Sequence, residues 1–124
     1  MKTGVLLIAE EREHQISKHG FTGEHHANNP LWYDENQLIR AAWGLCNYDK
    51  DQLTAIYRDT KPLNWDKEWW QRMCDKPKLE RLIIAGALIA AEIDRLQSLT
   101  PEANFFATEK TNEGFNPNKK TGEL

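Results

Sequence analysis

The chain has 124 residues, with 16 basic and 19 acidic side chains and a formal net charge of −3. That length suits one globular domain, and 40% hydrophobic with 28% charged residues is typical of folded rather than disordered or fibrous chains. The slight negative charge argues against binding of long nucleic acid, which needs a strongly basic surface. No apolar run reaches the roughly 20 residues that span a bilayer, so we expect no membrane partner.

Two cysteines, Cys46 and Cys74, are far apart in the sequence, and the chain opens without the pattern of a signal peptide. We therefore expect a cytoplasmic protein whose thiols stay reduced. Both thiols are expected to pack as small hydrophobic side chains.

Apolar residues at helical spacing predict a first helix over about residues 3–18, ended by Gly20 in the left-handed region. Residues 21–30 are rich in turn-forming side chains and predict a long loop that contains histidines. Asp34, with a glutamine three residues later as in a capping box, predicts the start of a second helix over residues 34–47.

The second half of the chain continues the helical pattern. A short helix is expected over about residues 49–58, and one or two helical turns over residues 66–73. The strongest pattern covers residues 77–99, with a proline in the first turn. Small residues in its middle, Ala85 to Ala87 and Ala90 to Ala91, would let a neighbouring helix approach closely.

These patterns predict an all-α fold, a compact bundle of about four helices with a long central C-terminal helix. Residues 1–99 would form the helical-bundle domain, and residues 100–124 a flexible or partner-docking tail. The small residues of the last helix suit either the centre of the bundle or a seam between subunits, and we expect a homo-oligomer.

Carboxylates on two helices are candidate metal ligands. Glu10 and Glu11 lie on the first helix beside His14 and Lys18, and Glu92 is the acid of the last helix that could point into a pocket. Carboxylates one turn apart can hold Mg²⁺ or Mn²⁺ together with phosphate oxygens and waters. The alternative is a solvated helix face with ion pairs. No histidine pair has the spacing of a zinc site, and no residue is assigned a catalytic role.

Three tryptophans in one stretch, Trp65, Trp69 and Trp70, are followed by basic residues that include Arg72 and Lys76. A base can stack on an indole ring while phosphates pair with the cations. The alternative is that the rings cover one end of the core, since tryptophan buries a large apolar area. A ring can also pack on one face and receive a ligand on the other.

Five segments together resemble a family of small phage- and prophage-encoded helical proteins. They are EREHQ at 11–15 with Gly20, EH at 24–25, LIRAA at 38–42, WDKEWW at 65–70 and RLIIAGALIAAEIDRL at 81–96. Members of that family look similar to the N-terminal domain of phage dATP/dGTP diphosphohydrolases and, remotely, to MazG-like all-α nucleotide pyrophosphohydrolases. The resemblance implies a bacterial host cell and a nucleotide ligand. The Glu-Glu-x-x-Glu and Glu-x-x-Asp stretches of MazG-like enzymes are not intact here, because Gln37 and His26-Ala27 stand where relatives tend to place acids.

The resemblance and the side-chain chemistry give one set of candidate site residues. The expected metal ligands, for an enzyme, are Glu10, Glu11 and Glu92. The expected nucleotide-binding residues are Arg12, Gln15, Lys18, Glu24, His25, Trp69, Trp70 and Lys76.

Three functions stay open at this point. One is a metal-dependent nucleoside triphosphate pyrophosphohydrolase with degraded motifs, and another is a non-catalytic binder that sequesters a nucleotide or a nucleotide-derived immune signal. The third is a protein-interaction module whose partner covers Trp32, Trp69, Trp70 and the Phe105-Phe106 segment.

Overall fold

The computed structural model describes residues 1–49 and 60–99, and all regular structure in these two ranges is helical. The predicted all-α fold is confirmed. No helix in the described ranges is both long and apolar enough to cross a membrane. The short helix predicted over residues 49–58 and the predicted tail lie almost wholly outside the described residues. The helices are α1 (Gly4–His19), α2 (Gly23–Ala27), α3 (Pro30–Tyr33), α4 (Gln37–Asn47), α5 (Lys67–Cys74) and α6 (Lys78–Leu99).

Helix α6 is the central element, because α1, α2 and α4 all pack against it. Its small side chains allow this close packing, as the sequence predicts: Ala87 and Ala91 have no exposed surface, and Ile8 of α1 sits over Gly86. A Cβ atom at Gly86 would lie 2.5 Å from the Ile8 Cδ1 atom. The buried apolar residues of α4, Leu38, Ala41, Ala42 and Leu45, complete the core together with Tyr33, Trp65, Trp70, Met73, Cys74, Ala85 and Leu88.

Two helices begin or end as their local sequence predicts. Thr3 caps α1, since its hydroxyl accepts a hydrogen bond from the Leu6 N–H at 3.2 Å, and Gly20 ends the helix with φ of 69°. Asp66 caps α5, because its carboxylate accepts from the Trp69 N–H at 2.8 Å. These signals depend on a few neighbouring residues and need no tertiary contact.

The long loop predicted over residues 21–30 is wrong, because two short helices interrupt it. Thr22 accepts a hydrogen bond from the His25 N–H at 3.0 Å and so starts α2, and Pro30 occupies the first turn of α3. Helix α2 has only five residues, and a segment this short does not stay helical by itself. Its packing against α6 stabilises it.

The predicted cap of the second long helix is also wrong. Asn36, with φ of 60°, precedes α4, and Asp34 instead follows α3. Gln37 is fully buried and holds the connection together: its Oε1 atom accepts from the Glu35 N–H at 2.6 Å, and its Nε2 atom donates to the Leu31 carbonyl at 3.2 Å. A buried glutamine that bonds to loop backbone looks in sequence like a capping-box residue.

The two thiols lie in different surroundings, and both are free. Cys74 is buried, as predicted, and burial raises its pKa to about 11. Cys46 is exposed, so its predicted packing in the core is wrong. It lies on the solvent side of α4, opposite the apolar face.

We predict that Gly23→Ala destabilises the fold by about 1–3 kcal/mol, because the new methyl group must push α2 away from α6. A Cβ atom at Gly23 would lie 2.5 Å from the carbonyl oxygen of Asp94, a backbone atom that cannot rotate aside. Urea unfolding measures the change. Gly4→Ala is the matched control, because nothing lies within 4 Å of its Cβ position. Equal stability of the two variants would contradict the close packing of α2 on α6.

Candidate functional site

Aromatic rings from three regions of the chain form one continuous row across the protein. Neighbouring ring centroids lie between 4.3 and 6.4 Å apart, and all four histidines belong to the row. It begins at the C-terminal end of α1, crosses α2 and α3, and ends on α5. In order the rings are His14, His19, Phe21, His25 with His26, Tyr33, and Trp65 with Trp69 and Trp70.

A cavity of about 460 Å³ opens beside the middle of this row. Its walls are mostly aromatic, and this volume lies within the usual range of small-molecule sites, about 300–1,000 Å³. Four polar side chains interrupt the apolar lining: Gln15 and His26 are buried, and Asn64 and Asp66 are exposed. The aromatic lining residues are Phe21, Trp32, Tyr33, Trp65 and Trp69.

Hydrogen bonds to backbone fix the tryptophan side of the cavity. The Trp65 indole N–H donates to the Trp32 carbonyl at 2.9 Å, and Asn64 donates from Nδ2 to the Leu31 carbonyl at 2.9 Å. The Lys61 ammonium donates to the Trp65 carbonyl at 2.9 Å. The loop before α5 is therefore tied to α3, and the Trp65 ring is held by its own hydrogen bond.

His26 is the most unusual group of the cavity. Its side chain is 2% exposed, and its Nδ1 atom has no hydrogen-bond partner among the described residues. Burial, helped by the positive charges of Arg12 and Arg95 and by His25, lowers the pKa of His26 from 6.5 to about 4. The imidazole is therefore neutral at physiological pH.

A second, more polar cleft of about 560 Å³ adjoins the cavity. Gln15, Phe21, Trp69 and Leu88 line both, so the Trp69 ring stands at the boundary. Beside Met73 and Ile84, charged side chains line much of the rest of the cleft. They are Glu11, Arg72, Asp75 and Lys76, with His14 and His19 beside them.

The structure brings four predicted site residues to this pair of spaces. Gln15 and Trp69 line both cavity and cleft, whereas Glu11 and Lys76 line the cleft. Glu11 also accepts a hydrogen bond from the Gln15 Nε2 atom at 3.2 Å. Trp70 is instead a core residue, 5% exposed. The tryptophan stretch is thus divided between the two arrangements that its sequence left open: Trp70 packs in the core, and Trp69 lines the two spaces.

Two predicted site residues are engaged in structural ion pairs. The Arg12 guanidinium donates from Nε to Asp94 Oδ2 at 2.9 Å and from Nη1 to the Phe21 carbonyl at 2.7 Å. Glu92 accepts two hydrogen bonds from Arg95, at 2.6 and 2.9 Å, and both side chains are buried. Neither Arg12 nor Glu92 lines the cavity or the cleft.

The remaining predicted residues lie at the periphery. Glu10 is exposed and pairs with Lys2 at 3.0 Å, and Lys18 and Glu24 are exposed away from the cavity and the cleft. His25 is half-buried and stacks on Phe21, with 5.5 Å between ring centroids. Within the described ranges, no group of three or more His, Cys, Asp or Glu side chains is placed to hold a metal ion, so the three predicted ligands are not brought together.

Sequence reasoning missed Phe21, His26 and Tyr33 as site residues. Phe21 and His26 belong to the segment predicted as an irregular loop, and Tyr33 lies between that loop and the predicted second helix. The cap at Thr22 and the proline at position 30 were the available signals, because together they mark two short helices and so a defined orientation for the rings.

Comparison with protein-family models, with curated proteins and with solved structures finds no match for this chain. The resemblance to phage proteins and to MazG-like enzymes therefore stays a prediction. The functional conclusion rests on the cavity, the cleft and their residues.

We predict that acid weakens the wild-type protein more than a His26→Phe variant. Between pH 6.5 and about 4 the unfolded chain protonates this histidine while the folded protein does not, so stability is lost as pH falls through that window. The full effect of the shift from 6.5 to about 4 is about 3 kcal/mol. Urea unfolding of both proteins from pH 7 to pH 4.5 measures it. Parallel pH profiles for the two proteins would show that His26 is not buried in its neutral form.

Proposed function

We propose that this protein binds a nucleotide without turning it over, with the base in the aromatic cavity and the phosphates in the charged cleft. The observation that carries this proposal is that the two spaces are neighbours that share four lining residues, with Trp69 between them. One ligand with a flat apolar end and an anionic end would fill both. A sequestering binder of a nucleotide or a nucleotide-derived immune signal is the function we favour.

The ring-lined cavity suits the base. Trp69 is half-buried, so one part of its ring packs against Trp65 while the rest faces the open space. Stacking of a base on an aromatic side chain contributes roughly 1–3 kcal/mol. The walls are already held by backbone hydrogen bonds, which lowers the entropy cost of ordering them around a ligand.

The cleft suits the phosphates. Arg72 and Lys76 bring two positive charges to it, and Lys76 is only loosely held by Glu80, with 3.9 Å between Nζ and Oε2. A guanidinium can pair with a phosphate through two parallel hydrogen bonds, and an ammonium adds a mobile point charge. His14 and His19 line the same cleft and add further donors.

One arrangement favours a second candidate, hydrolysis of a nucleoside triphosphate to a monophosphate and pyrophosphate. Glu11 and Asp75 line the same cleft as Lys76. Two carboxylates, together with phosphate oxygens and waters, match the coordination that Mg²⁺ prefers, and Mn²⁺ takes the same ligands. When bound, the metal would polarise a phosphoryl oxygen and activate water. Arg72 and Lys76 would then hold the phosphates.

The experiment that separates these functions is incubation of the purified protein with a mixed pool of ribo- and deoxynucleotides, including cyclic di- and trinucleotides. Parallel samples contain Mg²⁺ with Mn²⁺, or EDTA, and free and protein-bound fractions are analysed by mass spectrometry. Retention of an unaltered nucleotide in EDTA supports the binder. Release of monophosphate and pyrophosphate only with metal supports the hydrolase. Unchanged free and bound fractions contradict both and leave the protein-interaction module.

We expect Trp69→Ala to weaken nucleotide binding by about tenfold or more, because the base loses its stacking surface. Isothermal titration with the nucleotide recovered from the pool measures the loss. Trp43→Ala is the matched control, since that indole is 48% exposed on α4 and lines neither the cavity nor the cleft. Equal losses in both variants would argue against a base in the cavity.

We also propose that the protein forms a homo-oligomer through the outer face of α6. Five large apolar side chains are exposed there at the spacing of a helix-to-helix seam, and Ile8 of α1 covers the helix at Gly86, between Leu82 and Ile89. Helix α6 has 22 residues and is about 33 Å long, so a partner could contact it over several turns; a stable interface buries about 800 Å² per partner. The α6 residues are Leu79, Leu82, Ile89, Ile93 and Leu96.

Ile93→Glu is expected to shift the protein to a smaller assembly, because a charge in an apolar seam loses its hydration. Light scattering coupled to gel filtration measures the mass. Ser98→Glu, on the same helix but at a polar exposed position, is the control. A wild-type protein that is monomeric at high micromolar concentration would refute the proposed seam.

A further inference from the structure

The cavity contains a buried polar atom that the fold leaves unsatisfied. The Nδ1 atom of His26 is shielded from solvent and has no hydrogen-bond partner in the part of the chain that the structure describes. Leaving such an atom unpaired is unfavourable, and buried polar atoms in native proteins are almost always paired. A phenylalanine would fill the same space without that cost. The imidazole therefore needs a reason beyond packing.

The surroundings of His26 hold its ring in one orientation. The Tyr33 ring lies edge-on to it with 4.3 Å between the ring centroids. The centroid of the Phe21 ring, which also lines the cavity, lies 5.7 Å away. His26 is one of the residues that line the cavity, and its Nδ1 atom has no exposed surface, so a ligand there pairs with this atom only when a neighbouring side chain shifts. Because the side chain is 2% exposed, water competes poorly for its hydrogen bonds.

We infer that His26 determines the specificity of the cavity by a hydrogen bond to a ring nitrogen or ring N–H of a heteroaromatic ligand. This inference rests on the proposed binding of a planar ligand in the cavity, and it adds the chemical class of that ligand. A hydrocarbon ring would fill the same space but leave the imidazole unsatisfied. A nitrogen heterocycle, such as a nucleobase, would satisfy it.

A second buried polar side chain supports this assignment. Gln15 lines the cavity and is 7% exposed, and its Nε2 atom donates to the Glu11 carboxylate at 3.2 Å. That bond fixes the amide, because only the NH₂ end can face a carboxylate, and it leaves Oε1 as an acceptor. Gln15 and His26 are thus the buried polar groups of a mostly apolar cavity that the exposed Asn64 and Asp66 also line. A few placed polar groups of this kind are typical of a site that recognises the edge of a flat polar ring.

The test uses three bicyclic probes of nearly equal size: indene with no ring nitrogen, indole with one ring N–H, and benzimidazole with an N–H and an acceptor nitrogen. Titrations followed by ¹H–¹⁵N NMR give each dissociation constant with the full-length protein. We expect benzimidazole to bind about tenfold more tightly than indene. If indole matches benzimidazole, the imidazole accepts a hydrogen bond; if indole matches indene, the imidazole donates one.

His26→Phe is expected to remove the preference among the probes while the aromatic wall remains. His26→Gln, which restores a donor and an acceptor, is expected to recover part of it. Trp69→Ala is the control, and it should weaken all three probes while the preference for benzimidazole persists. If His26→Phe does not fold, the wild-type imidazole ¹⁵N signals replace it, because they must shift with benzimidazole and not with indene.

Other outcomes overturn the inference in distinguishable ways. Equal affinity of the wild-type protein for indene and benzimidazole, or a preference that persists in His26→Phe, refutes the role of His26 and leaves nucleotide retention untouched. Failure of all three probes to bind at millimolar concentration refutes a ligand in the cavity. A clear benzimidazole preference without any retained nucleotide supports His26 and refutes the nucleotide proposal.

Discussion

The buried guanidinium of Arg12 is the interaction on which the site depends. It joins α1 to Asp94 of α6 and to the backbone carbonyl of Phe21, just before α2. Three elements thereby meet at one charge, and the ring of Phe21 is placed where the cavity and the cleft join. Because a buried charge is costly unless it is paired, the ion pair between Arg12 and Asp94, with 2.8 Å from Nη2 to Oδ2, constrains how α1, α2 and α6 can move relative to one another.

Burial and nearby charge together set the protonation state of the buried histidine of the cavity. Burial is the main cause that lowers the pKa of His26, and the positive charges of Arg12 and Arg95 lower it further. Glu92 forms a bidentate pair with Arg95, which satisfies that guanidinium inside the bundle. Arg12 and Arg95, which hold α6 in the bundle, thus add to burial in keeping the imidazole neutral. A neutral imidazole can donate one hydrogen bond to a ligand ring and accept another.

Much of the fold could be predicted from the sequence, because contacts between residues close in the chain determine where several helices begin and end. Thr3, Gly20 and Asp66 begin or end helices through atoms within four residues of themselves, and the small side chains of α6 indicate close packing whatever the partner. The candidate site was predicted less well. Gln15 and Trp69 line it, but Arg12 belongs to the packing, since a charged side chain on a helix face looks the same in sequence whether it meets a ligand or Asp94.

The sequence by itself determined an all-α bundle built around the helix over residues 78–99, because hydrophobic spacing and capping residues act within a few turns of chain. Only the tertiary structure decided that the histidines, Phe21, Tyr33 and the tryptophans form one row beside a cavity. Those rings come from segments up to 56 residues apart, between His14 and Trp70. No local sequence pattern predicts that these rings come together, because their positions depend on how α1, α2 and α5 pack around α6.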